Sequence, residues 1–519
     1  MSLKTPWLLP ILSGIFIGTS YIPFPPWASL FGFIPLWIFW EQQQKLRHVL
    51  LSGFLCAAVF TLIGFNWVTY LLHEFAFLPW FAAGIGMIFF AVLAHLFVPI
   101  AGALWFWGYK RKLYTGWQSI LMMGLLTALC LWAVPMLFKW NFGYAWFGAK
   151  LPIYQIAEYI GFSGLSMLTV LANVPLFWAW KARNNKTVRN KILWRFTVVF
   201  MGLNAFGLST KAWQPTPDSS FNTLLVQANI GNSEKMAAEF GRGFYGKIIK
   251  QYQDVTDEGL REHKGKHIDF ILWSETAFPG LLNTQFQETY YPQQLSQYIK
   301  NRQISLITGS YAKSAKTDLI TNSMFVLNKQ GEVQAPYYSK SILLVFGEYL
   351  PGEKYFPILR DLLPMVGNFG SGDGPTKLLT LNDYKIGPQI CYESLFPEFS
   401  TALADLGAQF IVNVTNDSWY GTWQEPYQHM TMTLARAIEI RRPLVRVTNT
   451  GISTVVLASG EILEQSPMNQ TWTGLYEVPY LSDPKATFYQ RNFWLMPILL
   501  VGLLLLVLVS GLKSKVVRG

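Results

Sequence analysis

Long apolar stretches constrain this chain of 519 residues more than any other feature of its sequence. A helix that crosses a bilayer needs about 20 mostly apolar residues. Charged residues make up only 14% of the chain, whereas soluble domains have about 25%. The sequence therefore predicts a multi-pass α-helical membrane bundle of eight spans, at roughly 7–22, 27–41, 49–72, 79–108, 117–138, 154–180, 192–209 and 492–512.

Two of these stretches have alternatives. The second, 27–41, is short and flanked by prolines, so its limits are uncertain. The first, 7–22, has the length of a cleaved signal peptide, but IPFPPW follows it instead of a small-x-small cleavage site. A membrane span is therefore the favoured interpretation of 7–22.

Basic residues are unevenly distributed along the chain. Residues 211–491 contain 24 Lys/Arg and 27 Asp/Glu, whereas the apolar remainder contains 17 and 3. Only Lys139 and Lys150 stand in the intervening short loops. The other basic residues of the remainder fall at both termini and in every second loop, and by the positive-inside rule these parts are cytoplasmic. They include Lys4, Lys45, Arg47, Lys110, Arg111, Lys112, Lys181, Arg183, Lys186, Arg189, Lys191, Arg195, Lys513, Lys515 and Arg518. Seven crossings then place 211–491 on the far side of the membrane.

The sequence divides into three parts on these grounds. Residues 1–210 form a membrane domain with seven helices, 211–491 form an exported domain, and 492–519 form an eighth helix and a cytoplasmic tail. Within the first part, His95 and Glu158 are ionisable groups in apolar surroundings, where such groups are costly. A structural role inside the bundle or near an interface is favoured over a functional one.

The exported part has an α/β pattern. Its apolar runs, several of them nearly continuous, are typical of strands buried on both faces. YQHMTMTLARAIEIRR (427–442) has helical spacing, and NKQGEV (328–333) and ASGEI (458–462) predict hairpin turns. The predicted strands are NTLLVQANI (222–230), HIDFILWSE (267–275), ISLITGSYA (304–312), NSMFVLN (322–328), YKIGPQICY (384–392), AQFIVNVTN (408–416) and PLVRVTNTG (443–451).

Cys391 is the most informative residue of this part. The other two cysteines, Cys56 and Cys130, lie in predicted spans, so a disulfide framework is excluded and Cys391 has no partner in an oxidising compartment. It follows an apolar strand, and open α/β sheets build their sites at the carboxyl ends of strands. From position alone, a buried inert cysteine is an equal alternative to a reactive one.

Two further charged residues favour the reactive interpretation. Glu275 ends the apolar run DFILWSE, where a carboxylate is costly unless it has a partner or a role. Lys340 stands among apolar residues in PYYSKSILLVFGEYLP; as an alternative, it is a surface lysine that extends its charge to water. Glu348, eight residues later, is a candidate salt-bridge partner for it.

Other kinds of site are disfavoured. NFGSGDG (368–374) lacks the Lys-Ser/Thr of a phosphate loop. His263 and His267 are four residues apart but have no third ligand, so no metal is expected. No basic patch carries the aromatic residues typical of nucleic-acid binding.

The order of these three residues resembles the Glu-Lys-Cys triad of the nitrilase superfamily. They are Glu275 in LWSETAFPG, Lys340 in YYSKSILLVFGEYLP and Cys391 in QICYES. With NVTNDSWYGTWQEPYQH (413–429), RAIEIRRPLVRVTNTGIS (436–453) and the apolar stretches, the whole chain resembles the apolipoprotein N-acyltransferases, the membrane branch of that superfamily. The resemblance implies a four-layer α-β-β-α domain on the periplasmic face of the bacterial inner membrane.

The resemblance also implies roles for single residues. Cys391 corresponds to the nucleophile, Glu275 to the general base and Lys340 to the cation that stabilises the oxyanion. Glu348 matches the superfamily's second glutamate. Tyr392 and Glu393 match the two residues that follow the family's cysteine. Two departures affect lipid contacts: Met236 stands near the position of a family tryptophan, and Val345 replaces the proline of a Pro-Phe-Gly-Glu-Phe block that here ends in Tyr349.

The implied reaction moves an acyl chain from a phospholipid to the α-amine of the diacylglyceryl-cysteine of an apolipoprotein, through a thioester on Cys391. No cofactor is needed because the donor already carries an ester, and the chain is expected to act as a monomer. The alternatives are a membrane-tethered amidase, which does not explain the eight spans, and a non-catalytic binding or transport module, which makes the triad incidental.

A thioester must be protected from water. The segment 341–369 is long, apolar and aromatic, which is typical of a segment that dips into a membrane interface. It is expected to contain a substrate lid with Leu343, Leu344 and Phe356; the alternative is an ordinary core helix with a loop.

The charge pattern predicts a topology that reporter fusions can measure. Fusions at Arg111 and Lys186 should report the cytoplasm and a fusion at Asp257 the opposite side, because basic loops are retained inside. An outside signal at Lys186 would contradict this topology.

Overall fold

The computed structural model of the chain describes residues 6–74, 77–239, 243–283, 287–314, 316–364 and 366–516. Lys4 and Arg518 lie outside the described residues. The described chain separates into two compact units. A helical unit comprises 1–69, 78–213 and 491–519, and an α/β unit comprises 70–77 and 214–490.

Apolar helices form the first unit. In the described part of residues 1–213 the helices are α1 (Leu8–Gly18), α2 (Ile34–Glu41), α3 (Leu46–Gly64), α4 (Trp67–Glu74), α5 (Trp80–Leu93), α6 (Phe97–Lys110), α7 (Trp117–Ala133), α8 (Gly143–Gly148), α9 (Ala157–Lys181) and α10 (Lys186–Ala212), with a 3₁₀ turn at Pro152–Ile156. Residues 70–74 of α4 belong to the α/β unit. Small residues bring some of these helices close together. A Cβ on Gly53 of α3 would lie 2.7 Å from Cα of Pro99 in α6, so only glycine allows this approach.

Several of these helices have the composition of membrane spans. Four helical segments of the described chain are long and apolar enough to cross a bilayer: Leu46–Gly64, Trp80–Lys110, Pro152–Lys181 and Lys186–Ala212. Shorter apolar helices lie at Leu8–Gly18, Trp117–Ala133 and Leu495–Gly511. The predicted span 27–41 contains only the eight residues of α2, because prolines 23, 25 and 26 precede it and break regular hydrogen bonding. The total of eight spans stays a prediction.

The two ionisable residues of these stretches have different surroundings. His95 is fully buried, and its Nδ1 lies 2.7 Å from Oγ1 of Thr61. Glu158 lies in the first turn of α9, where a carboxylate interacts favourably with the helix dipole. Both positions agree with the structural role that the sequence favours.

The α/β unit contains two mixed sheets. The first has the strand order β11-β1-β2-β3-β4-β5 and the second β10-β9-β8-β7-β6. Strands β1–β3 are parallel to one another, as are β7–β9, and the outer strands are antiparallel. The strands are β1 (Ser219–Gln227), β2 (Phe270–Trp273), β3 (Ser305–Lys313), β4 (Ile320–Leu327), β5 (Tyr338–Ser339), β6 (Leu379–Leu381), β7 (Tyr384–Ile390), β8 (Phe410–Thr415), β9 (Leu444–Thr448), β10 (Thr454–Val456) and β11 (Trp472–Tyr480).

Helices accompany both sheets. They are α11 (Asn232–Glu239), α12 (Tyr245–Glu262), α13 (Tyr290–Arg302), α14 (Ile358–Leu362), α15 (Pro397–Asp405), α16 (Glu425–Ile440) and α17 (Phe488–Arg491), with a 3₁₀ turn at Cys391–Leu395. The chain ends with α18 (Leu495–Val516) in the helical unit. Apolar residues of α12 and α13 share one buried core with those of β1–β4. The two sheets meet through rings such as Phe221 and Phe410, whose centroids are 4.2 Å apart.

The strand and turn predictions are confirmed. All seven predicted strands are present, and the predicted helix corresponds to α16, every residue of which except Tyr427 is buried. Antiparallel bridges Leu327–Val333 and Val456–Ile462 close the two predicted hairpins. The strands β5, β6, β10 and β11 were not predicted, because edge strands are short or lack a continuous apolar run.

Arg442 connects several segments behind the second sheet. Its buried guanidinium donates to the carbonyl oxygens of Ala408 at 2.5 Å, Ile440 at 2.7 Å and Ala404 at 3.1 Å, and to Oε1 of Gln490 at 3.1 Å. It therefore satisfies carbonyl groups that would otherwise be buried without donors.

Replacing this guanidinium should destabilise the α/β unit. Arg442→Met should lower the free energy of unfolding by roughly 3 kcal/mol, because several buried carbonyl groups lose their donor. Thermal unfolding of the purified protein measures this, with the exposed Arg261→Met as a control. Equal unfolding temperatures for the two variants would contradict the assignment.

Candidate active site

Glu275 lies in a turn directly after β2. The residue after it, Thr276, has φ of 48°, a left-handed conformation that is rare for a β-branched residue. The adjacent β3 leaves room for this turn only because it has Gly309, where a Cβ would lie 2.6 Å from Cα of Glu275. The turn after β2 therefore fixes the backbone position of Glu275.

Lys340 follows the short strand β5 and is almost completely buried. Its backbone N–H donates to the carbonyl of Asn322 at 2.8 Å, and its own carbonyl accepts from Gly372 at 2.7 Å. The surface-lysine alternative is therefore wrong, since water does not surround this ammonium group.

Three charged side chains meet in this buried region. Nζ of Lys340 lies 2.8 Å from Oε1 of Glu348 and 3.6 Å from Oε1 of Glu275. Nδ2 of Asn322 donates to the same Glu275 oxygen at 2.7 Å. One ammonium group thus balances two carboxylates, and an amide fixes the orientation of one of them.

Cys391 begins the 3₁₀ turn after β7 and is also buried, with φ of 50°. Burial and the carboxylate of Glu275 raise the pKa of its thiol above the usual range, against the opposing effect of Lys340. The resting form of Cys391 is therefore the thiol, and a base must remove its proton before it can act as a nucleophile.

The electrostatic environment makes Glu275 suitable as that base. Burial raises the pKa of its carboxyl group above the usual value, Lys340 lowers it, and Glu348 raises it again. A carboxylate with a raised pKa is a stronger base than one in water. Burial alone would lower the pKa of Lys340, but Glu348, Cys391 and Glu275 together raise it, so the ammonium form persists.

Glu393 connects the turn that begins at Cys391 to the segment that carries Lys340. Its Oε1 accepts from the hydroxyl of Tyr338 at 2.5 Å and from the backbone N–H of Ser341 at 2.7 Å. Its Oε2 accepts from the backbone N–H of Ile390 at 2.9 Å. The carboxylate therefore links the ends of β5 and β7, which belong to different sheets. Tyr392 is buried beside it, with its ring edge-on to Phe396.

A second buried charge network lies next to the backbone of Cys391. Asp417 forms an ion pair with Arg446 at 2.7 Å, and its other oxygen lies 2.8 Å from Nδ1 of His429. Nε2 of His429 lies 3.4 Å from the carbonyl oxygen of Cys391. The sequence reasoning missed this network; the arginine within the apolar run PLVRVT was the available signal.

The same network contains the one candidate set of metal ligands found among the described residues. Asp417, Glu425 and His429 each have a ligand atom within 4.8 Å of the others. However, Arg446 already neutralises Asp417, and a guanidinium next to the site disfavours a divalent cation. The donor set is therefore better explained as a buried hydrogen-bonded network.

The predicted lid segment is mostly an open loop. Between 341 and 369 the described chain has a single short helix, α14. Leu343 and Leu344 are half-buried, whereas Phe356 is 64% exposed. Backbone bonds from Gly367 to Gly347 and from Phe369 to Glu348 close the base of this loop. The core-helix alternative is therefore wrong. The side chain of Met236, the other lipid-contact position, lies outside what the structure describes.

Comparisons with known proteins agree with this architecture. Residues 214–479 match the family model described as carbon-nitrogen hydrolase, and residues 13–174 match that of the apolipoprotein N-acyltransferase N-terminal domain.

Curated relatives extend the match to nearly the whole chain. A protein from Bdellovibrio bacteriovorus named apolipoprotein N-acyltransferase is 39% identical over 93% of this chain and 90% of its own length. Proteins of the same name from Caulobacter vibrioides and Haemophilus influenzae are 28% and 27% identical, over 99% and 98% of this chain and 96% of each relative. With both parts of the chain matched, this protein belongs to the apolipoprotein N-acyltransferase family.

Proposed function

We propose that this protein is a membrane N-acyltransferase that moves an acyl chain from a phospholipid to the α-amine of the diacylglyceryl-cysteine of apolipoproteins. The observation that carries the proposal is the 39% identity to a relative of that name over 93% of the chain. The cluster of Glu275, Lys340 and Cys391 supplies groups suited to the reaction. Family membership supports an enzyme of this class over a non-catalytic module.

The first half-reaction forms a thioester. Glu275 removes the proton from the Cys391 thiol, and the thiolate attacks the ester carbonyl of the donor. Lys340 and the backbone N–H of Tyr392 stabilise the tetrahedral oxyanion. When the C–O bond of the ester breaks, Glu275 returns its proton to the leaving alcohol, and the lysophospholipid departs.

The second half-reaction forms an amide. The neutral α-amine of the apolipoprotein attacks the thioester, and the tetrahedral intermediate uses the same oxyanion stabilisation. The C–S bond breaks, and the amine proton passes by way of Glu275 to the thiolate, which regenerates the Cys391 thiol. Two half-reactions through one covalent intermediate give ping-pong kinetics.

The runner-up function is a membrane-tethered amidase with water as the acceptor. It would use the same three residues, and the carbon-nitrogen hydrolase match to 214–479 is compatible with it. The match of 13–174 to the N-terminal domain of acyltransferases favours the transfer reaction, since an amidase for soluble substrates has no use for it.

The cellular placement is part of this proposal. Residues 1–210 and 492–519 form the membrane parts, with eight spans in total. Both termini lie in the cytoplasm of a bacterium. The nitrilase-like domain, 211–491, lies on the periplasmic face of the inner membrane. The protein acts as a monomer.

Helices on the outer faces of the two sheets give the α/β unit a four-layer α-β-β-α arrangement. The contacts of α12 and α13 with the first sheet support that arrangement.

The loop 341–369 is assigned as the lipid-facing lid. Its exposed side chains include Phe346, Tyr355, Phe356 and Ile358, an unusual density of apolar surface for one loop. Glu348, at the base of the loop, forms an ion pair with Lys340. A movement of the loop would therefore also move a partner of the ammonium group that stabilises the oxyanion.

Charged replacements in the lid should impair lipid use. Phe356→Lys, Leu343→Lys and Leu344→Lys should reduce transfer from a membrane-embedded donor while thermal unfolding stays unchanged, because a charge disfavours contact with acyl chains. Leu406→Lys, at an exposed leucine outside the loop, serves as the matched control. Full activity of all three lid variants would contradict the assignment.

Protein incubated with phospholipid alone should accumulate a thioester at Cys391. Cys391→Ala should lose both adduct and transfer. Glu275→Gln should slow adduct formation by about 10²–10⁴-fold, the usual contribution of a general base. Lys340→Ala should raise the barrier by about 2.7–4 kcal/mol because the oxyanion loses a donor.

Peptide mass spectrometry of the Cys391 fragment, before and after neutral hydroxylamine, measures the adduct. A diacylated lipopeptide should convert it to amide product. Full transfer by Cys391→Ala would refute the mechanism, and free fatty acid as the only product would favour the amidase.

A further inference from the structure

A second buried lysine contacts the turn that carries Glu275. Lys235 of α11 is only 3% exposed. Its ammonium donates to the carbonyl oxygen of Glu275 at 2.9 Å and to the hydroxyl of Thr276 at 3.2 Å. Burying an ammonium group costs free energy unless its hydrogen bonds are made. The two bonds to the turn at Glu275 offset part of that cost for Lys235.

The turn needs an external support. Thr276 has a left-handed backbone, which a β-branched residue adopts only when its surroundings impose it. The turn's own bond, from the N–H of Ala277 to the carbonyl of Ser274, is long at 3.3 Å. Lys235 supplies two stronger contacts at the strained position, including a charge-assisted bond to the carbonyl of Glu275 itself.

The helix that carries Lys235 is itself tied to the nucleophile's side of the site. Nδ2 of Asn232, the first residue of α11, donates to the carbonyl of Ser418 at 2.9 Å. Ser418 follows Asp417, whose network reaches the carbonyl of Cys391 through His429. Helix α11 thus contacts both the turn after β2 and the segment after β8.

The charge of Lys235 also acts on Glu275. Around that carboxylate, the structure places Lys340, Glu348, Cys391 and Tyr420 in addition to Lys235. Lys235 is one of the two cations that lower the pKa of Glu275 against the effect of burial. Its removal would leave the carboxylate harder to ionise.

We infer that Lys235 is a positioning residue for the general base: its contacts with the carbonyl oxygen of Glu275 and the hydroxyl of Thr276 hold the strained turn after β2 and thereby position the Glu275 carboxylate. The inference rests on the proposed function, in which Glu275 deprotonates Cys391. It adds a residue outside the triad whose loss should affect the acylation step more than donor binding.

The test uses the full-length protein and a phospholipid with an isotope-labelled acyl chain. The rate of adduct formation at Cys391 is measured in single turnovers as a function of pH. Lys235→Met should slow this rate by about 10- to 100-fold, the effect expected for a lost hydrogen bond to a charged group. The acid limb of the pH profile should move to higher pH, because Glu275 must be ionised and its pKa rises. The donor concentration for half-maximal rate should change little.

Two further variants separate positioning from folding. Lys235→Arg keeps the charge and should leave the acid limb near its wild-type position. Lys250→Met, which removes an exposed lysine of the neighbouring α12, should match wild type in rate and profile. If Lys235→Met does not accumulate as folded protein, Lys235→Gln, which keeps a donor but not the charge, should show the same displaced limb.

The outcomes distinguish this inference from the function on which it rests. A wild-type protein without a Cys391 adduct contradicts the proposed function. A wild-type adduct together with an unmoved acid limb in Lys235→Met or Lys235→Gln overturns the inference alone, even if the rate falls, because a purely structural role would leave the limb in place.

Discussion

The site depends on the confinement of one ammonium group between two carboxylates away from water. Lys340 lies 2.8 Å from Glu348 and 3.6 Å from Glu275, and all three side chains are largely buried. Without Lys340, the fold would bury two adjacent negative charges, which is strongly unfavourable. The surrounding structure, including the β5 segment, the base of the loop at 341–369 and Asn322, is arranged to keep these groups together.

The backbone is strained in two turns of the site, at Thr276 and at Cys391. Thr276 and Cys391 have φ of 48° and 50°, and each follows a central strand. In both cases a buried polar side chain lies next to the strained backbone: Lys235 contacts the carbonyl of Glu275, and His429 lies near the carbonyl of Cys391. Such conformations persist only where neighbouring groups over-determine them. Contacts from distant segments therefore help to fix the backbone at Glu275 and at Cys391.

Sequence patterns were sufficient where local physics decides the structure. Buried central strands show continuous apolar runs, so all seven predicted strands are present. Patterns were insufficient where a long-range contact decides. The apolar surroundings of Lys340 suit a surface lysine as well as a buried one, and only the positions of Glu275 and Glu348 exclude the former. Likewise, the apolar character of 341–369 suggested either a core helix or a loop, because hydrophobicity alone does not specify what an element packs against.

The sequence by itself determined that the chain carries apolar helices and an α/β part, and which glutamate, lysine and cysteine were the candidates, because these follow from hydropathy, periodicity and short motifs. Tertiary structure alone decided how those candidates meet, since Glu275 and Cys391 are 116 positions apart in the chain. It also decided which residues surround these candidates, including Asn322, Lys235 and the Asp417–His429–Arg446 network. Apart from Arg446, which stands within an apolar run, no local pattern marks these residues, because a buried polar group finds its partner on a distant segment.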